Sequence, residues 1–214
     1  MSVPVVAIDG PSASGKGAVA QRVAAALGFH CLESGALYRL VALAGPESPE
    51  QTAANMSVEF RDGKIFLSGH DVTNKLRHEA IGVRASDIAQ RPALRQALLK
   101  RQRAFRKAPG LVAEGRDMGS VVFPDATLKV FLTATPVERA QRRYKQLIDK
   151  GIDANLHALS RDLEQRDARD ANRALAPLAP APDSQVLDSS ALSIEAVADR
   201  IVRWFRERQT GGRG

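Results

Sequence analysis

Val5-Val6-Ala7-Ile8-Asp9-Gly10-Pro11-Ser12-Ala13-Ser14-Gly15-Lys16-Gly17 begins as an apolar, β-branched run. It breaks at Gly10 through small and turn-forming residues and resumes at Gly15 as the Ala-rich segment Ala18 to Leu27. Strand, loop and helix follow from that order. The spacing G-x-x-x-x-G-K is that of a phosphate-binding loop, in which backbone N–H groups and a helix N-terminus surround phosphate oxygens while the lysine adds a mobile charge. The spacing alone arises by accident in roughly one chain in twenty of this length. Context therefore carries the weight: an apolar strand directly before the loop and a helix directly after it are what the mechanism demands. The eighth position, usually a Ser or Thr that reaches Mg²⁺, is Gly17, and Ala18 adds no hydroxyl. No protein metal ligand is expected here, so Mg²⁺ would be held mainly through phosphates and water.

At 214 residues and 44% apolar content the chain can bury one substantial core and has room for a small insert. Its single cysteine, Cys31, excludes an internal disulfide and suits a reducing compartment. Cys31 is expected as a small apolar residue buried at a strand. No apolar run approaches bilayer-spanning length, and Met1-Ser2-Val3-Pro4 lacks the regions of a signal peptide, so a soluble cytoplasmic protein is expected. Lys and Arg outnumber Asp and Glu by 31 to 24, which points to anionic partners without choosing between nucleotide and nucleic acid.

Beyond the first helix, Gly28 provides a stop and Phe29 to Leu32 reads as a short buried strand. Glu33-Ser34-Gly35-Ala36-Leu37-Tyr38-Arg39 then opens a helix that carries an aromatic ring and a cation near its start. Such a terminus with Arg39 beside it could hold an anion, although packing and a solvated charge explain the same residues. Ser48-Pro49-Glu50-Gln51 has capping-box spacing, and Met56 to Leu67 reads as a hairpin about an Asp62-Gly63 turn. The β-rich piece 45–83 interrupts an alternating α/β pattern and is read as an insert; His70 and His78 in it are expected at the surface. Pro92 to Lys107 is an amphipathic helix with a basic face, Lys100, Arg101, Arg103, Arg106 and Lys107. Without interleaved aromatics that face is expected to be solvated rather than to bind nucleic acid.

Leu111 to Glu114 is a second apolar strand, ending in Gly115-Arg116-Asp117-Met118-Gly119. Ligands of open α/β sheets lie beyond the carboxyl ends of strands, so this turn is placed to meet phosphates held by Lys16, unless Arg116 and Asp117 merely pair with each other. Thr127 to Leu132 is the next strand, and Thr135-Pro136-Val137-Glu138 caps a helix bearing Arg139, Arg142 and Arg143. A helix from about Leu156 sets Arg166, Asp170 and Arg173 on one face, which could equally be a solvated ion-pair ladder. Gln185 to Asp188 is the last strand, and Ser193 to Arg208 the last helix, with Ile194, Val197, Ile201 and Phe205 on its apolar face and a frayed tail beyond.

Taken together, Ile8 to Gly17, Ser34 to Arg39, Gly115 to Gly119 with Val121 to Asp125, and Arg166 to Pro177 make the chain resemble the bacterial cytidylate kinases over nearly its whole length. The Gly-Lys-Gly ending of the loop is likewise similar to nucleoside monophosphate kinases. The fold so implied is α/β: a single P-loop kinase domain over 1–214, with a five-stranded parallel sheet flanked by helices, a small β-containing insert over 45–83, and a helical lid with acceptor-binding helices over 139–173. The resemblance implies transfer of the ATP γ-phosphoryl group to CMP or dCMP by a monomer that binds neither nucleic acid nor membrane.

Residue by residue, it implies ATP contacts from Gly10, Pro11, Ser12, Ala13, Ser14, Gly15, Lys16, Gly17 and Ala18. Ser34, Arg39, Arg116 and Arg173 would grip the acceptor phosphate, with Tyr38 and Gly115 at the same site. Ser86, Arg95 and Asp117 would read cytosine, and Arg166 with Asp170 would hold the sugar. Lys16, Arg116, Arg139, Arg143 and Arg173 would be catalytic. Glu33 stands where the family usually shows Asp. A monophosphate acceptor is already anionic, so the reaction needs alignment and charge neutralisation more than a strong base, and arginine's planar fork suits that task. Two other readings are another small-molecule P-loop kinase, acting on UMP or on an alcohol, and a basic nucleic-acid-binding protein that uses ATP as a switch.

Overall fold

The computed structural model describes residues 3–45, 47–61, 63–149, 151–173 and 176–211. In chain order the elements are β1 (Val5–Asp9), α1 (Lys16–Leu27), β2 (His30–Glu33), α2 (Ser34–Ala44), α3 (Pro49–Asn55), β3 (Val58–Arg61), β4 (Lys64–Leu67), β5 (His70–Asp71), α4 (Glu79–Ile88), α5 (Pro92–Ala104), β6 (Leu111–Gly115), β7 (Leu128–Thr133), α6 (Pro136–Ile148), α7 (Leu156–Ala171), β8 (Gln185–Asp188) and α8 (Ile194–Gly211). A 3-10 turn (Lys75–Arg77) precedes α4, and a π-helical turn (Met118–Val122) follows β6. The chain forms two compact units, Met1–Leu32 with Phe105–Gly214, and Glu33–Ala104.

In the first unit five strands form a parallel sheet in the order β2-β6-β1-β7-β8. Every residue of β1 and β6 is buried, as expected of the inner strands of a parallel sheet covered on both faces. One face packs against α1 and α8. Val6, Ile8, Val112, Leu128, Val130, Leu132 and Leu187 from the strands meet Val19, Val23, Val197, Ile201 and Phe205 from the two helices. Phe205 packs edge-on against Phe29, with ring centroids 5.5 Å apart. α1 ends as its sequence foretells: Gly28 takes the left-handed conformation at φ 67°, and the Phe29 N–H returns to the Ala24 carbonyl at 2.9 Å.

In the second unit β3, β4 and β5 form a small antiparallel sheet, accompanied by α2 to α5. The segment 45–83 lies wholly within this unit. Gly63 has φ 70°, as a tight turn there requires, while Asp62 lies outside the described residues. Ser48 stands at the N-cap of α3 without a side-chain capping bond, and His70 and His78 are exposed. The short β5 and the helix α4 carry no sequence signal strong enough to have announced them.

Four expectations need correction. β2 lies at the sheet edge with only Leu32 buried, so Cys31 is exposed rather than packed. α5 stops at Ala104, and its basic run is not simply solvated. Arg101 donates to the carbonyls of Ala54 and Met56 at 2.9 and 2.7 Å, satisfying the orphan acceptors at the end of α3, while Arg106 donates to the Val3 carbonyl and pairs with Asp125. In α8 the stripe Val197, Ile201, Phe205 is buried, but Ile194 is 43% exposed because it sits in the first turn. That helix also runs on to Gly211, where a frayed tail was expected from Thr210.

Phe205→Ala should reduce the unfolding free energy by about 3–5 kcal/mol, through lost burial plus the cavity left beside Phe29. Urea denaturation checks this; a loss under about 1 kcal/mol would mean that the contact between α8 and the sheet is not the core of this unit.

Candidate functional site

β1 and β6 are neighbours in register, with Asp9 opposite Gly115. Two turns therefore leave the sheet side by side, Gly10 to Gly15 and Arg116-Asp117, at the carboxyl ends of the strands where α/β proteins bind ligands. Gly10 has φ 151°, and a Cβ there would overlap the Leu132 carbonyl oxygen, so only glycine lets the loop leave β1 this way. Ala13 (φ 58°) and Gly15 (φ 90°) also adopt the left-handed region, and α1 begins at Lys16.

The carbonyls of this loop are held from within the protein. Lys16 Nζ donates to the Pro11 carbonyl at 2.7 Å and to Ser14 Oγ at 3.5 Å, and Arg139 donates to the Ser12 carbonyl at 3.2 Å. Arg142 and the Ser189 hydroxyl both donate to the Ser14 carbonyl at 3.3 Å. Occupied carbonyls are the condition for the loop's N–H groups to serve an anion.

Arginines from distant parts of the chain surround the same loop. Arg116 donates to Ser12 Oγ at 2.7 Å and to Asp170 at 2.8 Å, and Arg173 also pairs with Asp170. Arg139 pairs with Asp167. Asp170 is 1% exposed; burial alone would raise its carboxyl pKa, but Arg116 and Arg173 outweigh burial and hold it below the ordinary value. The face formed by Arg166, Asp170 and Arg173, with Asp170 buried and the two arginines half-buried, is thus a charge cluster within the fold rather than a solvated ladder. Arg116 pairs with Asp170, which displaces the simpler idea of a pair with Asp117. Lys16 feels the crowding: burial first, then the positive fields of Arg116 and Arg166, lower its pKa to about 7 despite Glu114 and Asp9 nearby.

Of the arginines of α6, Arg139 and Arg142 reach the phosphate loop, whereas Arg143 donates to Gln146 on its own helix. Ser34, Tyr38, Arg39, Ser86 and Arg95 belong to the second unit. There Ser34 is buried at the start of α2, Arg39 donates to the Leu76 carbonyl, Arg95 donates to the Ala89 carbonyl, and the buried Ser86 hydroxyl has no partner among the described residues.

Sequence reasoning overlooked two groups in the first unit, and it reads Asp167 only as one of the charges along the helix from about Leu156. Ser189 lies among residues that no spacing rule singles out. Asp9 had a signal, a carboxylate ending a fully apolar central strand. It is 6% exposed and accepts the Met118 and Gly119 N–H groups, each at 2.8 Å. Burial raises its pKa to about 6, against the opposing effect of those two bonds.

Among the described residues no cluster of three or more His, Cys, Asp or Glu is placed to hold a metal ion. Both Asp9 oxygens are engaged by backbone N–H groups, and Gly17 and Ala18 offer no donor. No helix among the described residues is long and apolar enough to cross a membrane.

Residues 6–207 match the sequence model of the family described as cytidylate kinase. The chain belongs to the cytidylate kinase family. A cytidylate kinase of Chromobacterium violaceum is 54% identical over 221 residues, covering 99% of this chain and 100% of that protein. One from Burkholderia vietnamiensis is 57% identical over 212 residues, covering 95% of this chain and 93% of that protein. Among solved structures, a gluconokinase from Sinorhizobium meliloti 1021 has TM-score 0.53 at 14% identity, with 99% of this chain and 98% of that chain covered. At that identity the likeness concerns the fold alone.

A lysine whose folded pKa is about 7, against 10.5 as its ordinary value, leaves the unfolded chain holding the extra proton between those values. Stability contributed through Lys16 therefore rises as pH goes from 7 to 10.5. Without added nucleotide, wild type should gain unfolding free energy relative to Lys16→Met across that window. A flat or falling difference would show that Lys16 stays charged in the fold.

Proposed function

We propose that the protein catalyses transfer of the γ-phosphoryl group of ATP to CMP or dCMP, giving ADP and CDP or dCDP. The observation that carries the reading is the convergence of Lys16, Arg116, Arg139 and the Asp170-Arg173 pair about one phosphate loop, in a chain of the cytidylate kinase family. Backbone N–H groups from Ser12 to Ala18 bind the ATP phosphates, and Lys16 bridges donor and transferred group. A lysine with a pKa near 7 takes up a proton readily when phosphate arrives, so its charge grows where negative charge concentrates. Mg²⁺, held by phosphates and water, neutralises phosphate charge when bound.

On the acceptor side, Arg116, Arg173, Arg39 and Ser34 hold the CMP phosphate, with Tyr38 and Gly115 beside it. Arg166 and Asp170 hold the sugar, and Ser86, Arg95 and Asp117 read the cytosine edge. The buried, unpartnered hydroxyl of Ser86 supports its share in that task, since such a group gains most from a ligand's hydrogen bond. Arg139 and Arg143 neutralise the transferred group. Because the acceptor is already an anion, the chain's contribution is alignment and neutralisation; no side chain needs to remove a proton. The protein acts as a cytoplasmic monomer on free nucleotides, without nucleic acid or membrane.

A coupled assay for ADP across CMP, dCMP, UMP and AMP should show turnover with the two cytidylates far above the others; AMP turnover equal to that of CMP would refute the assignment. Arg116→Ala should lower kcat/KM for CMP by about a hundredfold or more while the protein remains folded, because Arg173 still neutralises Asp170. Near-normal turnover in that variant would reduce Arg116 to a structural ion-pair residue.

A further inference from the structure

Asp9 lies between the two turns of the site and touches both. Its backbone ends β1 and pairs in register with Gly115, and the next residue, Gly10, opens the phosphate loop. Its carboxylate reaches past the neighbouring turn and accepts the N–H groups of Met118 and Gly119, both at 2.8 Å. Arg116 and Asp117 are the only residues between these two attachments. One side chain and its own backbone therefore fix the entry and exit of the turn that carries Arg116.

The surroundings leave that carboxylate little freedom. Asp9 is 6% exposed, and a Cβ added at Gly119 would come within 3.4 Å of its Oδ2 and 3.1 Å of the Lys129 Cγ. Lys129, 7% exposed, stretches its stem across this point to pair with Asp183 at 2.9 Å. Burying a carboxylate among apolar strands is costly, and the pKa of Asp9, raised to about 6, records that cost. Asn would be a cheaper residue for a purely structural role, but it can accept only one of the two N–H groups; its amide nitrogen would face the other donor.

We propose that Asp9 is a positioning residue for Arg116, clamping the Met118-Gly119 backbone so that the guanidinium meets the acceptor phosphate. The inference rests on the kinase reading above. Asp9 acts chiefly through Arg116 and therefore on the acceptor; its field at Lys16 is weaker than the effects of burial, Arg116, Glu114 and Arg166, so the change on the ATP side is the smaller one.

The test is a double-mutant cycle in the full-length protein with CMP and ATP as probes. Asp9→Asn should raise KM for CMP at least fivefold while KM for ATP stays within twofold of wild type. Introduced into Arg116→Ala, the same change should alter kcat/KM for CMP less than twofold, since the group it positions is gone. Effects that multiply, or a KM change confined to ATP, would overturn the proposal. Should Asp9→Asn not fold, Gly119→Ala disturbs the same clamp from the other side, and its cycle with Arg116→Ala must show the same non-additivity. Wild type that turns over CMP while the cycle is additive defeats this inference alone; wild type that leaves CMP untouched defeats the kinase reading itself.

Discussion

Like charges gathered in a small, poorly hydrated volume repel each other, and the first unit is arranged around that constraint. Lys16, Arg116, Arg139 and Arg173 lie beside or are tied to one loop. Each would be expensive to bury alone. Asp170 lies between Arg116 and Arg173, Asp167 takes Arg139, and Glu114 and Asp9 favour the charged form of Lys16. Even so the balance falls short at Lys16, whose pKa drops to about 7. A site in that condition is electrostatically predisposed toward a polyanion, which supplies the negative charge that the protein's own carboxylates do not.

The backbone makes the same provision by other means. Carbonyls of the loop accept from Lys16, Arg139, Arg142 and Ser189, so the chain's own donors satisfy its acceptors. Gly10 gives way to the Leu132 carbonyl, and the short interval from β1 to α1 aims a helix N-terminus at the same place. Dipoles and cations act together here, and both are held by the protein's own contacts, which is the arrangement that charge-stabilising catalysis favours.

Local signals in the sequence were legible wherever local physics decides. Val5 to Ile8 could only be an inner strand, Gly28 a helix stop, and Thr135 a cap, whose oxygen indeed accepts the Glu138 N–H. The loop itself follows from its glycines. What the sequence hid was fixed by contacts between distant residues. The basic side of α5 looked like a solvated face, yet Arg101 and Arg106 cap carbonyls that only the fold brings near. Cys31 lies in the short run from Phe29 to Leu32 that reads as a buried strand, but that strand is at the sheet edge, which alternation cannot reveal. Arg116 beside Asp117 suggested a local pair, while the structure joins Arg116 to Asp170, 54 residues away. Ser189 and Arg142 were invisible as a unit because their meeting point, the Ser14 carbonyl, has no side-chain signature.

The strand order has a further bearing on how such a chain comes into being. β1 occupies the middle of the sheet, yet its partners are β6 and β7, with Val5 matched to Leu111 and Val6 to Leu128. On a ribosome β1 therefore emerges before both of its partners, and on the order of a hundred residues must follow it before either edge can be covered. Distant pairings of this kind form slowly and leave sticky surface open to wrong company in the meantime. The nascent polypeptide is thus vulnerable at the very segment from which its phosphate loop will later be built.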